Sequence, residues 1–454
     1  MAEVKLKTQY VCSQCGSTFM KWSGKCPTCG AWNSLEEETV DVSVKKAAPK
    51  KQTAAFSEPL RLNDITAGEE IRYKSGFSEF DRVLGGGIVK GSLILLGGDP
   101  GIGKSTLLLQ MCGKLSKKLT TLYVSGEESR GQLKLRADRL GISSENLFVL
   151  SETNAERIVE TVEKLKPSMV IIDSIQTIYS DNTSTSAGSV SQIRESASVL
   201  MRCAKENDVP FFLVGHVTKE GNIAGPKILE HTVDVVLCFE GDEKLRYRIL
   251  RSTKNRFGPT SEIGVFEMRA EGLAEIKNPS AEFLSEGLKD VSGTAVCCLI
   301  EGTRPILCEI QTLVSKTTFP SPRRMAVGAD YNRLCMLIAV LEKRAGLVFF
   351  DSDVYVNVAG GLDITEPASD LAVVMALASC RKEFVIGNDT VVLGEVGLSG
   401  EVRGASSIDM RLAEACRLGF KRAVIPAKSR VTVDTGEMEL IKVSNVREAI
   451  RFFS

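Results

Sequence analysis

Between residues 66 and 280 the chain alternates short apolar runs with amphipathic stretches. "SLILLGG" (92–98), "TLYVSGEES" (121–129), "MVIIDS" (169–174) and "FFLVGH" (211–216) are too continuously apolar to keep one face wet. The residues following each run predict helices. "STLLLQMCGKL" (105–115) is one. Another opens at Thr153-Asn154-Ala155-Glu156, in capping-box spacing, and places Ile158, Val159, Val162 and Leu165 on one face until Pro167 stops it. Buried strands alternating with helices predict a mostly parallel sheet covered on both faces, an α/β core.

From about residue 285 to 454 the pattern changes to a mixed α+β domain. Asp330 is placed to cap a helix burying Leu334, Leu337, Ile338 and Leu341. A nearly all-apolar helix follows over 368–379, and a third over 409–418 stops at Gly419. Residues 36–65 start with three glutamates and continue "SVKKAAPKKQTAAF", and their polar composition predicts a flexible linker. This leaves residues 1–35 as a separate module.

That module carries Cys12-x-x-Cys15 and, ten residues on, Cys26-x-x-Cys29, with Gly16 and Gly30 after the pairs. Two such knuckles present four thiolates in a closed tetrahedron, the donor set of structural zinc. Thirty residues build little core of their own, so Trp22 and Trp32 are expected to pack against the module. Lys5, Lys7, Lys21 and Lys25 either meet phosphate or a partner, or simply keep the knuckle soluble. The chain has 13 cysteines; the other nine are scattered, mostly in apolar runs, which suits buried thiols better than a disulfide framework.

The candidate chemistry centres on Gly98-Asp99-Pro100-Gly101-Ile102-Gly103-Lys104-Ser105-Thr106, a phosphate-binding loop between a predicted strand and a predicted helix. Its glycines let backbone N–H groups surround phosphates, Lys104 neutralises the β- and γ-phosphates, Ser105 offers an oxygen to Mg²⁺, and Thr106 lies near the α-phosphate. Asp173, at the end of an apolar strand, is placed to hold the Mg²⁺ shell through water. Glu127 and Glu128 both follow the strand at 121–125, and either can orient an attacking water. His216 closes another strand and reports the γ-phosphate or is an ordinary surface histidine. Lys254 and Arg256, two apart in "KNRFG", point the same way if extended, and either are solvated strand-end cations or reach a neighbouring subunit's γ-phosphate.

Lys+Arg equals Asp+Glu at 57 each, so any nucleic-acid contact must come from local basic loops rather than bulk charge. The polar N-terminus and the lack of any apolar run near the roughly 18–20 residues of a membrane span predict a cytoplasmic protein.

In their order, the four-cysteine module, "GDPGIGKST", "KNRFG" and a C-terminal region like the Lon protease domain resemble the bacterial RadA (Sms) family over nearly the whole chain. The pentapeptide is the most family-specific mark. The resemblance implies a RecA-like core with a zinc-ribbon or rubredoxin-like module before it and a Lon-protease-like domain after it. It favours Glu127 over Glu128 as the catalytic carboxylate, makes His216 the γ-phosphate sensor, and gives Lys254 and Arg256 roles in trans. It also implies that Thr177–Gln192 and Thr218–Glu230, with Lys219 and Lys227, are loops facing DNA. The expected cofactors are ATP, Mg²⁺ and Zn²⁺. The expected partners are single-stranded and branched DNA, the RecA recombinase, and copies of this chain in a hexameric ring.

The resemblance implies, as the leading reading, a DNA-stimulated ATPase of recombinational repair that processes branched intermediates and promotes branch migration of RecA-mediated strand exchange. Within the Lon-like region, "EPASDLAVVMALAS" (366–379) puts Ala368 at the nucleophile position, and the lysine position falls on Asp409. Neither residue can do the dyad's chemistry, which disfavours the second reading, an ATP-dependent protease. A regulatory scaffold of the KaiC kind is the third reading. Lys316, Arg323 and Arg324 on "KTTFPSPRR" (316–324) either line a channel for DNA or form a solvated loop.

Overall fold

The computed structural model describes residues 6–14, 16–41, 72–215, 227–241, 247–284, 291–319, 321–359 and 362–454. Cys15, His216 and Lys219 lie outside them, and so does the side chain of Lys227. The chain divides into two compact units, the first running to Ile276 and the second essentially Lys277–Ser454.

The first unit contains a nine-stranded sheet in the order Gly272–Glu275, Ile263–Arg269, Tyr247–Asn255, Val235–Glu240, Leu93–Gly98, Phe211–Val214, Met169–Asp173, Thr121–Ser125, Leu147–Ser151. The six strands from Val235–Glu240 onward are parallel, and the other three extend the sheet antiparallel. The pleat splits each parallel strand between two cores. Ile94, Leu96, Tyr123, Ile171 and Phe212 pack on one face, and Leu93, Leu95, Leu122, Val170 and Phe211 on the other. This two-sided burial is why the strands read as unbroken apolar runs. Phe211–Val214 separates the strand feeding the phosphate loop from the strand ending in Asp173, so a crevice opens between their C-terminal ends.

Two local expectations need correction here. The helix Ala155–Leu165 is capped by Asn154, whose side chain accepts from Arg157 N at 2.9 Å, not by Thr153. Gln192, expected in a loose loop, is buried in the helix Val190–Glu206. Its side-chain amide bonds Ser180 N, Ser180 O and Thr185 O, tying the preceding loop into a fixed shape.

The N-terminal module is a three-stranded sheet, Thr18–Phe19, Leu6–Cys12 and Leu35–Asp41. Residues 36–41 therefore belong to the module, not to the linker. Leu6–Cys12 pairs with the whole acidic strand and satisfies its backbone, a long-range pairing that composition does not reveal. Glu38 is buried and accepts from Ser191 N (3.1 Å) and Ser191 Oγ (2.8 Å), and Val11 packs on Val190. Trp22 and Trp32 do not pack inward as expected; they are 57% and 73% exposed. The module's small interior is instead Cys12, Cys26 and Leu35, flanked by Tyr10 and Phe19.

The second unit is built on a seven-stranded mixed sheet ordered Arg324–Val327, Ser352–Val358, Arg304–Lys316, Thr294–Glu301, Thr390–Val392, Arg422–Pro426, Glu439–Val443. The helix Tyr331–Val340 starts at Asp330, which accepts from Arg333 N at 2.6 Å, and buries Leu334, Leu337 and Ile338. Pro367–Ser369 forms a single 3₁₀ turn ahead of the buried helix Asp370–Lys382. Among the described residues, no helix is long and apolar enough to cross a membrane.

Candidate nucleotide site and metal centre

The strand Leu93–Gly98 turns through the glycine loop into the helix Lys104–Leu115. Gly98 has φ 151°, and a Cβ there would sit 2.5 Å from the carbonyl oxygen of Phe239, so only glycine fits. Gly103 starts the helix at φ 115° with no side-chain cap and no acidic residue in the first turn. The first amides thus keep their donors and their share of the helix dipole for an anion.

Lys104 is buried, and its Nζ donates to the carbonyls of Gly98 (2.6 Å) and Asp99 (2.8 Å). Burial pushes its pKa down, opposed by the carboxylates of Asp173, Asp99 and Glu127. The loop lysine and the two strand-end carboxylates therefore converge on one crevice. Asp173 is held by Tyr123, whose hydroxyl donates to Oδ2 at 2.5 Å from full burial in the adjacent strand. Glu127 accepts a short hydrogen bond from Ser174 Oγ. Glu128 instead forms an ion pair with Arg136 at 2.5 Å, and of the two it is Glu127 whose charge acts on Lys104. Ser174 leads into the turn Ile175–Thr177, and Thr177 Oγ1 donates back to its carbonyl at 2.8 Å. Neither Tyr123 nor Ser174 stood out in the sequence, since their roles come from contacts 50 and 47 residues away.

In the pentapeptide, Lys254 Nζ donates to the carbonyls of Glu230 (2.5 Å) and Val233 (2.8 Å), and Arg256 pairs with Asp234 at 3.3 Å. Within one chain both cations thus rest on the segment 230–234. The neighbouring residues build the support. Asn255 Oδ1 accepts from Phe257 N at 2.9 Å, and Gly258 lies so close to Gly85 that a Cβ would come within 2.8 Å of Gly85 Cα.

At the N-terminal module, the sulfurs of Cys12, Cys26 and Cys29 lie within 4.8 Å of one another, with Cys12 and Cys29 3.7 Å apart. Ligand bonds of about 2.3 Å in a tetrahedron require sulfurs about 3.8 Å apart, so this spacing fits. Each knuckle closes as a tight turn, with Gly16 N donating to Cys12 O (2.8 Å) and Gly30 N to Cys26 O (2.9 Å).

In the second unit, the carboxylate of Asp409 accepts from Thr432 N (2.8 Å), from Thr432 Oγ1 and from Val433 N, which lowers its pKa. The fully buried Arg411 makes a bidentate pair with Glu366, at 2.7 and 2.6 Å, and donates to the carbonyl of Cys298. Of the basic loop, the Arg323 guanidinium stacks on Phe319 at 3.8 Å. Arg324 donates to the carbonyls of Phe349, Ser352 and Arg323.

Comparison with known proteins agrees with this layout. Residues 57–222 match the AAA domain family, and residues 10–37 match the rubredoxin metal binding domain. The chain is 52% identical to the DNA repair protein RadA of Bacillus subtilis (strain 168), and 49% identical to that of Halalkalibacterium halodurans. Both alignments span 98% of each chain. A solved KaiC-like protein from Pyrococcus horikoshii aligns with 45% of this chain and 99% of its own, at 21% identity and a TM-score of 0.38. An AAA-family domain preceded by a rubredoxin-type metal-binding module, in a chain close to half identical over 98% of its length to these repair proteins, places it in the RadA family of DNA repair proteins.

Proposed function

We propose that this protein is a DNA-stimulated ATP motor of recombinational repair, acting in the cytoplasm on branched intermediates and driving branch migration of strands exchanged by the RecA recombinase. One observation carries the reading. The carboxylate best placed to orient water, Glu127, is bonded by Ser174, the residue from which the segment 175–192 departs. A polynucleotide held by that segment is one hydroxyl away from the hydrolytic carboxylate.

In this reading the loop amides and Lys104 bind the triphosphate, and Lys104 leaves its two carbonyls for the β- and γ-oxygens. Ser105, directly, and Asp173, through water, would hold Mg²⁺, which would supply positive charge against the phosphates. Glu127 accepts a hydrogen bond from the attacking water and aligns it with the γ-phosphorus. Lys254 and Arg256 swing from the 230–234 segment to the γ-phosphate bound by the next subunit of a hexameric ring, and His216 senses that phosphate. Cys12, Cys15, Cys26 and Cys29 hold a structural zinc. Lys219, Lys227, Lys316 and Arg323 contribute phosphate contacts.

The second unit serves as a Lon-like scaffold without peptidase chemistry. Ala368 has no nucleophile, Asp409 is held by Thr432, and Glu366, two residues before Ala368, is paired with Arg411.

The test is ATP turnover with no DNA, with single-stranded DNA and with a forked duplex, each with and without RecA. We expect stimulation by both DNAs and faster three-strand branch migration. Turnover that ignores polynucleotide leaves only a nucleotide switch.

A further inference from the structure

The two tryptophans of the N-terminal module belong to no core. Trp22 and Trp32 are 57% and 73% exposed, and Met20 beside them is 61% exposed. Large apolar surface left in water on so small a module calls for a partner.

The two indoles flank one spot. A Cβ built on Gly24 would meet Trp22 at 3.7 Å and Trp32 at 3.9 Å, so the glycine leaves a slot between the rings. The slot is held in shape. Asn33 N donates to Gly24 O at 2.9 Å, Lys25 and Trp32 form a β-bridge, and Ser23 Oγ donates to Lys25 O at 2.6 Å. The Lys25 ammonium sits 5.6 Å from the centre of the Trp32 ring. Lys21 adjoins Trp22, and residues 13–34 contain no aspartate or glutamate.

We propose that Trp22 and Trp32 form a stacking platform for the unpaired bases of single-stranded DNA, with Lys21 and Lys25 on the backbone phosphates. This inference rests on the DNA-motor reading and adds a second grip outside the ATPase core. Exposed π-faces accept any base, and neighbouring cations without counter-charges suit a polyanion, a combination that holds single strands without reading sequence. An acidic protein surface would satisfy the lysines but would leave two ring faces unused.

The chain contains only these two tryptophans, so its indole emission reports on this site alone. Full-length zinc-loaded protein is titrated with oligo(dT), following emission and, in parallel, the anisotropy of a labelled strand. We expect quenching that saturates with the anisotropy change. Trp22→Ala and Trp32→Ala should each weaken binding about tenfold, while zinc content and DNA-free ATP turnover stay unchanged. Trp22→Phe, which keeps a ring, should restore most of the affinity. Combined Lys21→Ala and Lys25→Ala should flatten the salt dependence of log affinity by roughly 1.4, about 0.7 per phosphate contact.

Anisotropy that reports binding while emission stays constant overturns the platform and leaves the motor reading standing. Alanine variants that bind as tightly as the parent do the same. Emission that responds to a protein but not to oligo(dT) assigns the platform to protein docking and also overturns it. If neither signal moves and DNA does not stimulate ATP turnover, the motor reading falls as well.

Discussion

Two places in this molecule have the same local plan, a turn entering a buried helix, and opposite electrostatics. At Gly98–Lys104 the helix start is uncapped and free of acid, and Lys104, Asp173 and Glu127 converge on a crevice. At Glu366–Asp370 every charge is already committed. Arg411 grips Glu366, Arg333 grips Asp370 through two nitrogens, and Ser369 Oγ donates to Glu366 O at 2.8 Å. The first holds its cation on neutral carbonyls and its carboxylates on hydroxyls, whereas the second pairs each charge with its opposite.

The sharpest way to break the comparison is Lys104→Ala. It should lower ATP turnover at least about 100-fold, and unchanged turnover would remove the nucleotide site from this crevice. Glu127→Gln should cost about 100-fold while leaving nucleotide binding within a few-fold, whereas Glu128→Gln should act mainly through its lost pair with Arg136. Equal losses in the two variants would reverse that assignment.

At the other site, Arg411→Ala takes a fully buried guanidinium from the half-buried Glu366 carboxylate, which keeps only its bond from Ile300 N, and should destabilise the second unit by about 3 kcal/mol, read as a lowered unfolding midpoint for that unit. The double variant Ala368→Ser with Asp409→Lys should still fail to digest casein in the presence of ATP, because the Glu366–Arg411 pair remains in place. Digestion would show that only two atoms' worth of chemistry had been lost. Smaller effects belong to Lys254→Ala and Arg256→Ala. Each should slow turnover about tenfold or more with nucleotide affinity nearly intact, and a parallel fall in affinity would place them in cis. Cys26→Ser should release about one zinc per chain and unfold residues 10–32 without abolishing ATP binding, measured by metal release and hydrogen exchange.

Much of this was legible in the sequence because it is local. The phosphate loop, its strand and its helix are neighbours in the chain, and the parallel strands announced themselves by double-sided burial. Asp330 capped its helix as its spacing suggested. Apart from the cap of Ala155–Leu165, missed by one residue, the failures are long-range. The acidic strand Leu35–Asp41 has no apolar alternation and owes its existence to Leu6–Cys12. The tryptophans were expected inside because small modules need core, yet metal-binding cysteines and Leu35 supply that role. Ser174–Glu127, Tyr123–Asp173 and Arg411–Glu366 join residues dozens of positions apart, and periodicity carries no trace of them.

Asp234 has a consequence for how a motor stroke could begin. Its buried carboxylate accepts from Leu93 N, at the root of the strand leading to the phosphate loop, and pairs with both Lys205 and Arg256. On the in-trans role proposed for Arg256, its departure would leave Lys205 behind, so the anion would not be stranded and the guanidinium could come and go cheaply. Asp234 would then be a mooring post from which the arginine casts off, set at the foot of the strand that enters the glycine loop.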